Sequence, residues 1–168
     1  EGLLVHRPRH GYSAPVIDTA EISELYDVRR VLENMSVRRA CAAENGRGVL
    51  AQLRRAWSGD APDPGEDAVF RDEAFHIGLA RLTGSRVLAG MLEGINARIR
   101  LVRVHDFLDP GRVSATITQH LEILDAVEAR DADRAADLMD AHISESQEYA
   151  SPAAARALAE LGAEDAAG

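Results

Sequence analysis

The chain has a single cysteine, few aromatic residues, no long apolar run and no excess of positive charge, and each shortage removes a class of protein. A lone Cys41 cannot form an internal disulfide and suits a reducing compartment. Aromatic residues occupy 4% of 168 positions. Val and Ile are scattered singly instead of alternating, which argues against an extensive sheet. No apolar stretch approaches the ~20 residues that cross a bilayer, and no signal-peptide pattern is present, so a cytoplasmic protein with no membrane partner is expected. With 19 basic against 28 acidic side chains, a net charge of −9, this segment is by itself a poor match for nucleic-acid phosphates. The first residue is Glu1 and not Met, so the chain is expected to have lost an N-terminal portion.

What is present favours helix. Alanine, leucine, arginine and glutamate dominate, and 46% of residues are apolar, enough for one domain with a substantial core. Residues 1–20 differ: Leu3-Leu4-Val5 and then Arg7-Pro8-Arg9-His10-Gly11-Tyr12 read as strand, turn and second strand, or as a flexible tail. From Glu21, apolar residues recur at spacings of three and four, predicting a helix to about Glu44, broken by Asn45-Gly46 and Gly48. Further helices are predicted over Val49 to Trp57, Glu66 to Leu82, Arg86 to about His105, Arg112 to Ala129, and from Asp131 as cap to about Tyr149. The alanine-rich residues 151–168 are expected to form a last short helix or a disordered tail. The expected fold is therefore all-α, an antiparallel bundle of six or seven helices over residues 21–150.

One stretch of the third helix carries a chemical suggestion. Asp72 and His76, four residues apart, project from one helical face one turn apart. His120, beside Ile117, Leu121 and Leu124, and His142, beside Leu138, Met139 and Ile143, each border an apolar stripe. Imidazole and carboxylate suit borderline divalent metals, and three or four protein ligands leave positions for water or an anion. Two readings stand: the four residues converge on one ion, or the histidines are separate core-edge residues satisfied by carbonyls or water.

The order of motifs resembles the C-terminal effector-binding (FCD) domain of GntR-family transcription regulators, in the FadR-like subfamily. The residues that carry the resemblance are Leu25-Tyr26-Asp27-Val28-Arg29 with Leu32-Glu33, Phe75-His76 after Asp72, Thr83-Gly84-Ser85, Gln119-His120 with Ile123-Leu124 and Ala126-Val127, the run Ala129 to Ala135, and Met139 with His142. They span about residues 21–147. Ser85 departs from the asparagine common in the family. The resemblance implies a divalent metal held by Asp72, His76, His120 and His142, zinc first with nickel or manganese as alternatives. It further implies a small carboxylate effector, a homodimer, and DNA binding through an N-terminal winged helix absent from this chain. Residues 1–20 then read as the end of the wing and a linker, with Arg7, Arg9 and His10 against DNA.

Arg29 and Arg98 border apolar faces and are candidates for bidentate capture of the effector carboxylate, against ion pairs with Glu33 or Glu93. His105 is expected to cap a helix C-terminus and Trp57 to pack the short second helix. A non-enzymatic sensor is the reading preferred here. The alternatives are a metal-dependent enzyme, which would need a base such as Glu73 or Glu122, and a metal-free helical dimerisation module.

Overall fold

Three of the helix starts fall on side-chain caps and two others follow a glycine. The computed structural model describes residues 5–7, 11–13 and 19–167, with side chains from 19 to 150. Six helices follow in order: α1 (Thr19–Ala42), α2 (Arg47–Ser58), α3 (Glu66–Leu82), α4 (Arg86–Asp106), α5 (Pro110–Glu128) and α6 (Ala132–Ala167). Ser85 caps α4, its Oγ accepting from the Leu88 amide at 3.2 Å, so serine does here what an asparagine would do. Asp109 caps α5 by accepting from Gly111 N at 2.8 Å. Pro110 is the first residue of that helix rather than part of a preceding turn, because a first-turn position needs no amide donor. Gly65 precedes α3 with φ of 94°, a conformation open to glycine, and its amide donates to Phe107 O at 2.9 Å.

The expected break after Tyr149 does not occur. The backbone of α6 continues through Pro152 to Ala167 as one helix of 36 residues, so residues 151–168 contribute neither a seventh helix nor a separate tail as far as Ala167. Two short strands, β1 (Val5–Arg7) and β2 (Gly11–Ser13), pair antiparallel with His6 opposite Tyr12. Arg9 and His10 lie outside the described residues, and Arg7 is described by its backbone alone.

Ion pairs fix the helix directions. Arg30 and Arg38 of α1 meet Asp140 and Asp133 of α6, so these helices run antiparallel. Arg29 and Glu33 of α1 meet Asp72 and His76 of α3, so these two run parallel. Glu73 and Arg81 of α3 meet Arg100 and Glu93 of α4 in reverse order, antiparallel again. Between them lies a core in which Tyr26, Val37, Phe75, Leu79, Leu92, Ile99, Ile123, Leu124, Met139 and Ile143 are buried. Trp57 secures α2 to that core, as expected, and Cys41 is buried and unpaired. Val28, Phe70 and Met91, which fit the apolar spacing, are 47%, 51% and 50% exposed. The Phe70 ring is covered by the Arg100 guanidinium at 5.0 Å, so its face is shielded by a cation.

Candidate metal centre

The parallel register of α1 and α3, with α5 and α6 packed beside them, brings four donor residues to one point inside the bundle. Asp72, His76, His120 and His142 are all buried, and one ligand atom from each lies within 4.8 Å of every other. His142 Nε2 is 3.3 Å from both His76 Nε2 and His120 Nε2. Asp72 Oδ2 is 3.4 Å from His76 Nε2, and its Oδ1 is 3.4 Å from His120 Nε2. Two donors each about 2.0–2.1 Å from a zinc ion at a tetrahedral angle are about 3.3–3.4 Å apart. The donor spacing therefore fits a divalent ion.

Each imidazole is oriented by a different device. His76 Nδ1 lies 2.9 Å from Glu33 Oε1. His142 Nδ1 is 2.7 Å from Gln119 Oε1. Both contacts favour the proton on Nδ1, which leaves Nε2 with a lone pair toward the centre. His120 is held by rings instead: Phe75 stacks on it at 3.7 Å and 6°, and Trp57 meets it edge-on at 4.3 Å and 86°. Three nitrogen lone pairs and a carboxylate facing one another repel unless a proton or a cation sits among them. Asp72 Oδ1 has no hydrogen-bond partner, so its lone pairs are unused at that point.

Asp72 also anchors the surrounding cations. Arg103 Nη2 donates a short hydrogen bond to Asp72 Oδ2, and Arg29 Nη2 is 3.8 Å from the same oxygen. Burial alone would raise the Asp72 carboxyl, but Arg103, then His76 and His120, hold it well below the usual carboxylate range. Burial would likewise raise Glu33, and His76 together with Arg29 outweighs it, so Glu33 too is lowered. Burial works against a charged His76, yet Glu33 and Asp72 raise it above an ordinary imidazole. Burial dominates at His120 and His142, pushing both well down.

A pH dependence follows for the chelator-treated chain. The unfolded histidines take up protons near pH 6.5. In the folded state His120 and His142 resist protonation, so the unfolded state binds more protons and stability falls as pH drops below that value. His76 has the opposite sign: its contribution is complete below about pH 6.5 and is lost only as pH rises through its raised folded value. The carboxylates matter only on further acidification toward about pH 4. Denaturant midpoints measured from pH 7 to 5 should fall, with up to about 1.4 kcal/mol per pH unit for each of the two histidines. A flat profile would contradict their burial as neutral rings.

Of the two arginines singled out from sequence, only Arg29 reaches this centre. Arg98 is 56% exposed and pairs with Glu21 at the start of α1. Of the stripe Met91, Ile95, Arg98, Val102, Ile95 and Val102 are buried while Met91 and Arg98 lie at its outer border; the buried face of α4 is centred on Leu92, Asn96, Ile99 and Arg103. Arg103 holds the inward position, five residues beyond Arg98, and its place on the apolar face is the sequence signal for it. Glu33 appeared in sequence as an ion-pair partner of Arg29, 3.3 Å away, and proves to contact His76 as well. Glu73, a candidate base, has its two oxygens 2.9 and 2.8 Å from Arg100. His105 is half-buried near the end of α4.

Comparisons with known proteins agree with this architecture. The FCD domain model matches residues 24–145. The Nta operon transcriptional regulator of Aminobacter aminovorans is 30% identical over 145 residues, covering 85% of this chain and 68% of that protein. A crystal structure described as a transcriptional regulator GntR from Rhodococcus sp. RHA1 has a TM-score of 0.66 at 22% identity, covering 89% of this chain and 72% of that one. Streptococcus agalactiae GntR has a TM-score of 0.60 at 22% identity, with 88% and 75% covered. No helix of the described residues is long and apolar enough to cross a membrane. By the match across its helical part and the fold it shares with these regulators, the chain belongs to the FCD domain family and is the effector-binding domain of a GntR-type transcriptional regulator.

Proposed function

We propose that Asp72, His76, His120 and His142 hold one divalent ion, zinc first with nickel or manganese as alternatives, and that the centre grips a small organic acid as effector. The observation that carries this reading is the convergence of three imidazole nitrogens and a carboxylate at metal-ligand spacing, with Arg29 buried beside them. The ion, when bound, supplies a Lewis acid with positions for a carboxylate. Arg29 supplies charge and geometry: both of its Nη atoms are buried without a hydrogen-bond partner in the chain, so they are donors suited to a carboxylate.

A metal-dependent enzyme is the weaker reading. Glu73, the adjacent base, spends both oxygens on Arg100. A sensor has no need of such a base, and the related proteins are regulators. In the regulator, the ligand would bias the spacing of two DNA-binding domains in a homodimer. Residues 1–20, with Arg7, Arg9 and His10, would end the wing of the preceding domain, and DNA contact would belong to that domain.

Titration calorimetry tests the effector class. The zinc-loaded chain should give saturable heats with members of a panel of acetate, malonate, succinate and citrate, and none with the corresponding amides. Arg29→Leu should weaken the best acid about 10- to 100-fold, the worth of a hydrogen bond to a charged group. Equal binding of acids and amides, or unchanged affinity in Arg29→Leu, would sink the carboxylate reading.

A further inference from the structure

His142 is held by more than its immediate neighbour. Gln119 Oε1 accepts a hydrogen bond from His142 Nδ1 at 2.7 Å, since an amide oxygen has no proton to give. Its other end settles which way the amide lies. Gln119 Nε2 donates to Glu145 Oε2 at 2.5 Å, and a carboxylate can take that position only as acceptor. Glu145 is in turn 3.5 Å from Nη1 of buried Arg112. Arg112 donates to Ser146 Oγ at 2.5 Å and lies over the rings of Phe107 and Tyr149, at 5.6 and 5.2 Å. Arginine, carboxylate, amide and imidazole thus form one directed chain, and each link has a single allowed polarity.

We infer that Gln119 is a positioning residue of the centre: through Glu145 and Arg112 it holds the His142 proton on Nδ1, so that Nε2 presents its lone pair to the ion. This rests on the metal reading above. The neutral imidazole has two tautomers, and only one of them can ligate through Nε2. With the acceptor removed, both tautomers are populated and the ring is free to turn, so affinity falls. Partners of this kind typically contribute 10- to 100-fold to metal affinity. The centre is consequently asymmetric, with His76 set by a carboxylate, His142 by an amide and His120 by aromatic rings.

The chain offers a substitution pair that separates polarity from bulk. Gln119→Leu keeps the volume and deletes the acceptor; it should weaken zinc binding 10- to 100-fold by competition with a chelating indicator. The double change Gln119→Glu with Glu145→Gln reverses the hydrogen bond between positions 119 and 145 but keeps an acceptor toward His142 Nδ1 and another toward Arg112, and should restore affinity. In ¹⁵N-edited spectra of the chelator-treated chain, the wild type and the double variant should show His142 protonated at Nδ1, and Gln119→Leu a mixture. If wild type takes up no zinc, the metal reading itself fails. If wild type binds zinc and Gln119→Leu binds it as tightly, or the double variant fails to recover, the positioning role is wrong while the metal reading survives.

Discussion

Arg103→Ala is expected to destabilise the domain by about 3–5 kcal/mol, the range for removing one partner of a buried ion pair. Arg103 and Asp72 are both buried, and Arg103 donates its short hydrogen bond to the same carboxylate that faces the three histidines. Without the guanidinium, Asp72 is left with Arg29, 3.8 Å away, as the arginine nearest to it. A domain of this size loses about 2–4 °C of melting temperature per kcal/mol, so the drop should exceed ~6 °C. The control is Arg103→Met with Asp72→Asn, which removes both charges; it should recover a large part of the loss, because much of the penalty is the uncompensated carboxylate. A double variant no more stable than Arg103→Ala would show that the guanidinium acts by packing against Phe107, 5.4 Å away, and not by charge.

The second large effect is thermal stabilisation by the ion. A ligand that binds only the folded state at 100 times its dissociation constant adds about 2.7 kcal/mol, or roughly 5–10 °C here. Zinc added to the chelator-treated chain should give a shift of that order. His142→Ala should abolish it at the same zinc concentration, since it removes the nitrogen that stands 3.3 Å from both other imidazoles. Val28→Ala, at a 47%-exposed position on the outer side of α1, should leave the shift intact. The readout is a melting curve with and without chelator, and a shift that persists in His142→Ala would place the stabilising ion elsewhere.

Much of this arrangement could be read from the chain because helical pitch is a local property. Asp72 and His76 share a face by spacing alone, and His120 and His142 declare themselves by bordering apolar stripes. The motif order along the chain carries the family resemblance without any geometry. What stayed hidden depends on how helices cross. Arg98 and Arg103 sit on one helix, and only the position of α1 and α3 beside it decides that Arg103 faces in and Arg98 faces Glu21. Glu33 meets His76 because α1 and α3 run parallel in register, a fact with no signature in either helix. Trp57 reaches His120 from α2, across a loop whose path the sequence does not specify. The continuation of α6 through Pro152 has no local signature, since a proline taken by itself ends or kinks a helix.

The central claim is that these four side chains form one metal centre. Native mass spectrometry with elemental analysis of the chain tests it most directly. The expected result is one divalent ion per chain, removed by chelator, restored by zinc and absent from His142→Ala. A wild-type chain that carries no ion after incubation with zinc, nickel or manganese, or that retains full occupancy in His142→Ala, would contradict it.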